Sequence, residues 1–464
     1  MAEDRDIVEE ETEAAADSDY RLERDQVQPA LDAVEAGDAQ ALIDALDPLH
    51  PADIADLLEQ VDDDTRTRLV QLYGREFDGD ILSELDESIR EDVIEVLHPE
   101  VLADAVRELE TDDVVDLLED LDEPQQEAIL KSLEAADRVA VQQSLSYPEY
   151  SAGRLMQREM VVAPEHWTVG EIIDFMRGAE ELPDQFYHVI LVDPRMRPTG
   201  YVTLGRIMSS ARTVPLAEIT EDSFRTIPVL QEEGDVAYAF NQYHIISAPV
   251  VDEDDRLVGV ITIDDAMAIL DEEHEEDILR LAGVGESSLS DRVMETVRGR
   301  FPWLAVNLVT AILASLVIDQ FEHVIAGFVA LAVLMPIVAS MGGNAGTQSL
   351  TVAVRALATR DLTSSNVMRV IRREATVGLI NGVVFAVAMG IVGALWFGTP
   401  MLGVVIGIAM VINLVIAGLA GVLIPVVLDK LGVDPALASG AFVTTVTDVV
   451  GFFAFLGLAG AVLL

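Results

Sequence analysis

The sequence predicts a multi-domain membrane protein: an all-α superhelical N-terminal domain, a tandem pair of α/β units, a charged connecting helix and a five-helix α transmembrane domain. Three observations carry that prediction. Charge divides the chain, because from Phe301 onward seven acidic residues face six basic ones, so almost all of the formal net charge of −53 lies before it. Apolar runs begin at the same place, at 302–320, 324–340, 375–397, 400–428 and 435–463, most of them near the ~20 residues a bilayer-crossing helix needs. Ahead of them the chain repeats itself in two different patterns, one helical and one mixed.

Residues 1–26 open with MAEDRDIVEEETEAAADSDY. The stretch is acidic and has no apolar core, which excludes a signal peptide and predicts a disordered tail. From 27 to 146 the pattern is wholly helical. DIADLLEQVDDDTRTRLVQL from Asp53 returns as DVVDLLEDLDEPQQEAILKS from Asp113, and ILSELDESIREDVIEVL from Ile81 fits the same frame. Each copy has aliphatic residues at helical spacing and an acidic turn that can cap the next helix. Stacked helix pairs of this kind form a short superhelix, which serves either as a sensing module or as a solubilising scaffold.

Two βαββα units follow, at 147–212 and 213–275. In the first, Pro164 and Gly170 precede the helix EIIDFMRGA, and the strand HVILVD turns at Asp193 towards Gly200 and YVTLGRIM. In the second, Pro228 and Gly234 precede DVAYAFNQY, and SAPVVD turns at Asp252 towards Gly259 and VITIDDAM. This resembles a tandem pair of CBS domains. The resemblance implies adenine-nucleotide binding (ATP or a relative), with the ribose held by Thr262 and Asp265 in the second unit. The first unit departs from that pattern, having Thr203 and Arg206.

The connecting region, 263–300, starts with IDDAMAILDEEHEEDILRLAGV. Asp264, Asp271, Glu272, Glu275, Glu276 and Asp277 repel one another along one helix, and divalent cations relieve that repulsion, which is the physical basis of a metal sensor. Composition offers a competing account: Lys occurs only at 131 and 430, and an acidic, Lys-poor surface resembles the proteins of salt-loving archaea. The charge excludes nucleic acid and anionic membrane faces as partners of this half. The absence of Cys excludes disulfides, thiolate metal sites and Cys nucleophiles.

In the transmembrane domain, 301–464, basic residues set the orientation. Arg298 and Arg300 precede the first run, five Arg lie between the second and third, and Lys430 lies between the fourth and fifth. That places the N-terminus in the cytosol and the C-terminus outside a multi-pass plasma-membrane protein. The segment MPIVASMGGNAGTQSLTVAVRALATRDL is expected between the second and third spans. Gly342 and Gly343 let backbone approach a helix or an ion, and Asn344, Thr347 and Gln348 add neutral oxygens. Asp448 is the one charge after Ala438. It is either a protonated Asp bonded to a neighbouring helix or a cation-attracting group in a pore.

The order of domains, GGNAGTQSLTVAVRALATRDL and DPALASGAFVTTVTDVVG together resemble the MgtE family of magnesium channels. The resemblance implies a homodimer in the lipid bilayer, a pore between subunits, Asp448 selecting Mg²⁺, and closure by Mg²⁺ bound to the acidic cytosolic surfaces. Ala441 departs where relatives carry Pro, and Gln242 and His244 stand where acids are expected. The expected function is passive Mg²⁺ entry, since no phosphate-binding loop is present. The rivals are a path for other divalent cations (Co²⁺ or Mn²⁺) and a membrane-anchored nucleotide or ion sensor that passes nothing. No residue pattern suggests an enzyme.

Overall fold

The computed structural model describes residues 22, 24–119, 121–179, 182–183, 185–221, 224–284 and 293–463, in two compact units that meet at Glu272/Glu273. Most of the acidic 1–26 stretch lies outside the described residues, and a helix already begins at Arg24 (Arg24–Ala36).

The helical domain of the first unit follows the sequence repeat. Helices Pro51–Gln60 and Asp63–Tyr73 correspond to Thr111–Glu119 and Glu123–Ser132. The copy from Ile81 keeps its second helix, Glu87–Val96, while its first is cut to the single turn Asp80–Ser83. The apolar positions make one continuous core, in which Leu57, Leu58, Leu69, Ile81, Leu82, Leu117 and Leu118 are fully buried. Burying such a side chain contributes about 1.5–3 kcal/mol. A polar tie recurs as well. Arg66 donates to the carbonyls of Leu58 and Val61 (2.8 and 3.1 Å), and Gln126, 60 residues on, donates to those of Leu118 and Leu121 (2.7 and 2.9 Å). Arg90 does the same for Ser83 and Leu85 (3.3 and 3.1 Å). Each closes the C-terminal carbonyls of the preceding helix, which would otherwise be orphaned.

The two α/β units have the expected βαββα order. Strands β1 (Val161–Pro164), β2 (His188–Val192) and β3 (Pro198–Thr203) form one sheet; β4 (Ile227–Pro228), β5 (Ser247–Val251) and β6 (Leu257–Thr262) form the other. In both, the first pair is parallel and the second antiparallel, with a register shift at the last residue of the middle strand. Asp193 and Asp252 each accept two backbone N–H groups across their hairpin turns, which explains the matching Asp-to-Gly spacing. Equivalent first residues of β2 and β5, His188 and Ser247, hydrogen-bond to each other.

Among the described residues the second unit has five helices long and apolar enough to cross a membrane. The first is Val293–Asp319, and the third to fifth are Val367–Phe397, Pro400–Lys430 and Pro435–Val462. The second run corrects the sequence expectation. A short helix, Glu322–Gly327, stops at Phe328, and a new helix runs unbroken from Ala330 to Ala358. The Gly-rich segment is therefore inside the second span, not between spans. Glycine costs a helix only about 1 kcal/mol per residue, and in a bilayer small residues permit the close packing that holds helices together. The closest approach of a span glycine to another span's backbone is between the third and fourth spans, where a Cβ on Gly403 would fall 2.3 Å from the carbonyl oxygen of Gly390.

Candidate ion path and regulatory site

On the fifth span the hydroxyls are consumed locally. Thr444 donates to the carbonyl of Gly440 (3.0 Å), Thr445 to that of Ala441 (2.6 Å) and Thr447 to that of Thr444 (3.0 Å). The helix passes through Ala441 without a break. Asp448, half-buried, has no hydrogen bond or ion pair with any described residue. A carboxylate in that state inside a membrane domain is a functional candidate by its cost alone.

The second span presents a polar face. Ser340, Asn344, Thr347, Gln348 and Thr351 are all exposed, and their spacing puts them along one side of the helix. Asn344 Nδ2 donates to Ser340 Oγ (3.3 Å). Gly343 has open space where a Cβ would stand. Gly342 and Gly346 point the other way and are buried. A Cβ on Gly346 would lie 2.6 Å from Val443 Cγ1 and 3.5 Å from Thr447 Cγ2. The polar face and Asp448 are thus on helices in direct contact, with Asp448 next in sequence to a contacting residue. Gly342 packs against Asn413 and offers a path no surface.

The expected sensor acids are not gathered. Asp271, Glu272 and Glu275 are exposed along the connecting helix Ile263–Leu281. Glu276 is paired with Arg280, which also donates to Asp434 Oδ2 (2.9 Å), the cap of the fifth span. Burial, then the negative charge of Asp434, pushes the Asp277 carboxyl up. Asp264 belongs to a different assembly, with Asp265 and three acids of the helical domain. Glu110 is pushed up to about 7 by burial and then by Glu159, Asp113, Asp265 and Asp264. Asp113 is pushed up to about 7 by burial and then by Asp265. Asp112 stands well above the usual carboxylate range through burial and Asp265. Glu159 reaches across from the first α/β unit and accepts from Thr111 Oγ1 (2.6 Å). No three His, Asp or Glu side chains among the described residues are arranged to hold a metal ion directly.

Thr262 and Asp265 meet, but as a helix cap: Thr262 Oγ1 donates to Asp265 Oδ2 at 2.6 Å, and its N–H does so at 3.3 Å. Asp265 also shares a hydrogen bond with Asp112, and burial raises its carboxyl despite the Thr262 contacts. Gln242 and His244 are exposed at the end of the helix Glu233–Tyr243, His244 in a left-handed conformation.

Sequence reasoning missed Glu110, Asp112 and Asp113, because acids at the start of a helix are ordinary. It also missed Asn413, although a lone Asn in the run 400–428 was a visible signal.

Three family models match the chain. A divalent cation transporter model, MgtE, matches residues 335–458; the MgtE intracellular N domain matches 49–150; and CBS domains match 152–212 and 217–272. A magnesium transporter MgtE of Enterococcus faecalis is 34% identical over 313 residues, 68% of this chain and 69% of that one. That of Thermus thermophilus is 35% identical over 317 residues, 68% of this chain and 70% of that one. The solved cytosolic domain of an Mg²⁺ channel MgtE in complex with ATP is similar to 52% of this chain, covering 99% of its own, at 27% identity and a TM-score of 0.49.

Proposed function

The chain belongs to the MgtE family of divalent cation transporters, and on that premise we propose that it carries Mg²⁺ passively into the cell as a homodimer. The observation that carries the reading is Asp448, a carboxylate with no hydrogen bond or ion pair among the described residues, on a span packed directly against the one that bears the exposed polar side chains Asn344, Thr347 and Gln348. An exposed polar stripe is costly against lipid and natural against water or a second copy. All donors there are oxygen or amide, with no sulfur and no imidazole. Such a set suits Mg²⁺, which prefers oxygen and keeps most of its water. The carboxylate attracts the hydrated ion, and the neutral side chains bond to its water.

Regulation follows from the acidic cluster Glu110, Asp112, Asp113, Glu159, Asp264 and Asp265. Carboxylates this crowded repel unless a proton or a dication joins them. Cytosolic Mg²⁺ draws the helical domain onto the CBS pair, and the connecting helix Ile263–Leu281, with its acids Asp271, Glu272, Glu275, Glu276 and Asp277, delivers the change to the spans and closes the path. Thr262 and Asp265 are the residues that would meet a nucleotide ribose. Arg298 and Arg300 near the start of the first span, Arg355, Arg360, Arg369, Arg372 and Arg373 at and around the turn from the second to the third, and Lys430 at the end of the fourth favour an N-terminus in the cytosol and a C-terminus outside.

The test is Mg²⁺ flux in liposomes with internal Mg²⁺ varied. Flux should fall as internal Mg²⁺ rises, and removal of residues 1–262 should abolish that fall. Closure unchanged by the truncation ends the regulatory reading. Calorimetry with ATP, comparing Asp265→Ala with the parent, tests the nucleotide assignment.

A further inference from the structure

The fourth span is the most apolar of the five, and Asn413 is its one polar side chain between Met401 and Leu428. The residue is completely buried. Its Nδ2 donates to the Val338 carbonyl of the second span at 2.8 Å, while its Oδ1 is enclosed with no donor among the described residues. Two glycines make room for it. A Cβ on Gly342 would fall 2.2 Å from Nδ2, and one on Gly451 would fall 2.8 Å from Nδ2 and 3.1 Å from Oδ1. One amide from the fourth span is therefore seated in a notch cut from the second and fifth spans together.

Stability does not explain this amide. Leucine has a similar volume and no polar atom, and the desolvation of an unpaired carbonyl oxygen outweighs the net gain of one interhelical hydrogen bond. What leucine lacks is direction. A hydrogen bond fixes axial and rotational position, the way a single buried polar residue fixes register in a coiled coil. The two helices forming the notch are those that carry the candidate path residues: Asn344 lies two residues beyond Gly342, and Asp448 three before Gly451.

We propose that Asn413 is a positioning residue for ion selection: its bond to Val338 sets the register of the second-span polar face against Asp448, and so the spacing offered to a hydrated cation. The inference rests on the reading of Asp448 as the path carboxylate. Mg²⁺ demands near-ideal octahedral geometry, whereas Ca²⁺ accepts six to eight ligands in flexible arrangements. A slackened register therefore penalises Mg²⁺ and not Ca²⁺.

The experiment compares Mg²⁺ and Ca²⁺ uptake by the full chain in proteoliposomes, with thermal melting measured on the same preparations. Asn413→Leu should melt no lower than the parent and still conduct, while the preference for Mg²⁺ over Ca²⁺ drops by about tenfold, as expected from the stricter geometry of Mg²⁺. Asn413→Asp is isosteric and donates to Val338 only when protonated, so its preference for Mg²⁺ should be strong at low pH and weaken as pH rises, a profile the parent lacks. A parent-like ion ratio in Asn413→Leu overturns the proposal, as does an equal loss of both ions with lowered melting. Should the leucine variant fail to fold, a pH-independent ratio in Asn413→Asp overturns it instead. Asp448→Asn in the same assay reads the path assignment separately, since it should depress uptake of both ions, whereas Asn413→Leu shifts their ratio while uptake persists.

Discussion

The soluble and membrane units place carboxylates in opposite settings. Between the helical domain and the CBS pair, Glu110, Asp112, Asp113, Glu159, Asp264 and Asp265 are crowded so that several stand far above their ordinary range. In the fifth span Asp448 stands apart, among threonines that bond only to their own helix. Crowded acids form a load that responds to whatever cation relieves it. An isolated acid forms a fixed place for a cation to visit. On the proposed reading the same residue type serves sensing in one unit and passage in the other, and the difference lies in its neighbours.

The largest effect should come from removing the isolated acid. Asp448→Asn keeps size and polarity but deletes the charge, and Mg²⁺ flux should fall by at least about 100-fold, roughly 2.7 kcal/mol. Parent-like flux from a folded Asp448→Asn channel erases the contrast. Next is relief of the crowding. Asp112→Asn with Asp113→Asn should stabilise the Mg²⁺-free soluble unit by ~1–2 kcal/mol after allowance for solvent screening. It should also shrink the further gain in melting temperature when Mg²⁺ is added. A destabilised double variant, or one that gains as much from Mg²⁺ as the parent does, contradicts the crowding account.

Titration sharpens the comparison further. Glu110 and Asp113 bind protons more tightly folded than unfolded, so the stability they permit is full below about pH 4, near their unfolded values. That stability is lost as pH rises through about 7, where both ionise in place. Without divalent cations, amide-exchange protection of the helix Thr111–Glu119 should therefore fall across that window, and millimolar Mg²⁺ should flatten the curve. Protection that rises with pH has the wrong sign. The smallest effect expected is at Arg280. Its pairs with Glu276 and Asp434 are only partly buried, so Arg280→Gln should cost about 1 kcal/mol or less, seen as faster exchange near residues 276–281 with little change elsewhere.

Much of this arrangement was legible in the sequence, and the rest was hidden for identifiable reasons. The five spans, the helical repeat and the twin hairpins at Asp193 and Asp252 all depend on local pattern. The Gly-rich segment reads as lying between spans because the apolar run before it ends near residue 340. What keeps it helical is contact with Asn413, Val443 and Thr447 on other spans, which no local window contains. Asp264 stands out in the sequence for the acids of its own helix, yet the carboxyl it acts on, that of Glu110, lies some 150 residues earlier. Only folding joins them. Gln126 and Arg66 show the converse, a tie between helices whose donors stand 60 residues apart in the same repeat frame as the apolar positions.

The polar face of the second span also bears on how the protein is made. Ser340, Asn344, Thr347, Gln348 and Thr351 leave the surface of a newly inserted single chain with a strip that lipid cannot satisfy. That helix is also the least hydrophobic of the five, so it has the weakest claim to stay in the bilayer on its own. Pairing as proposed would cover that strip, and so would decide the lifetime of each subunit in the cell as well as its flux.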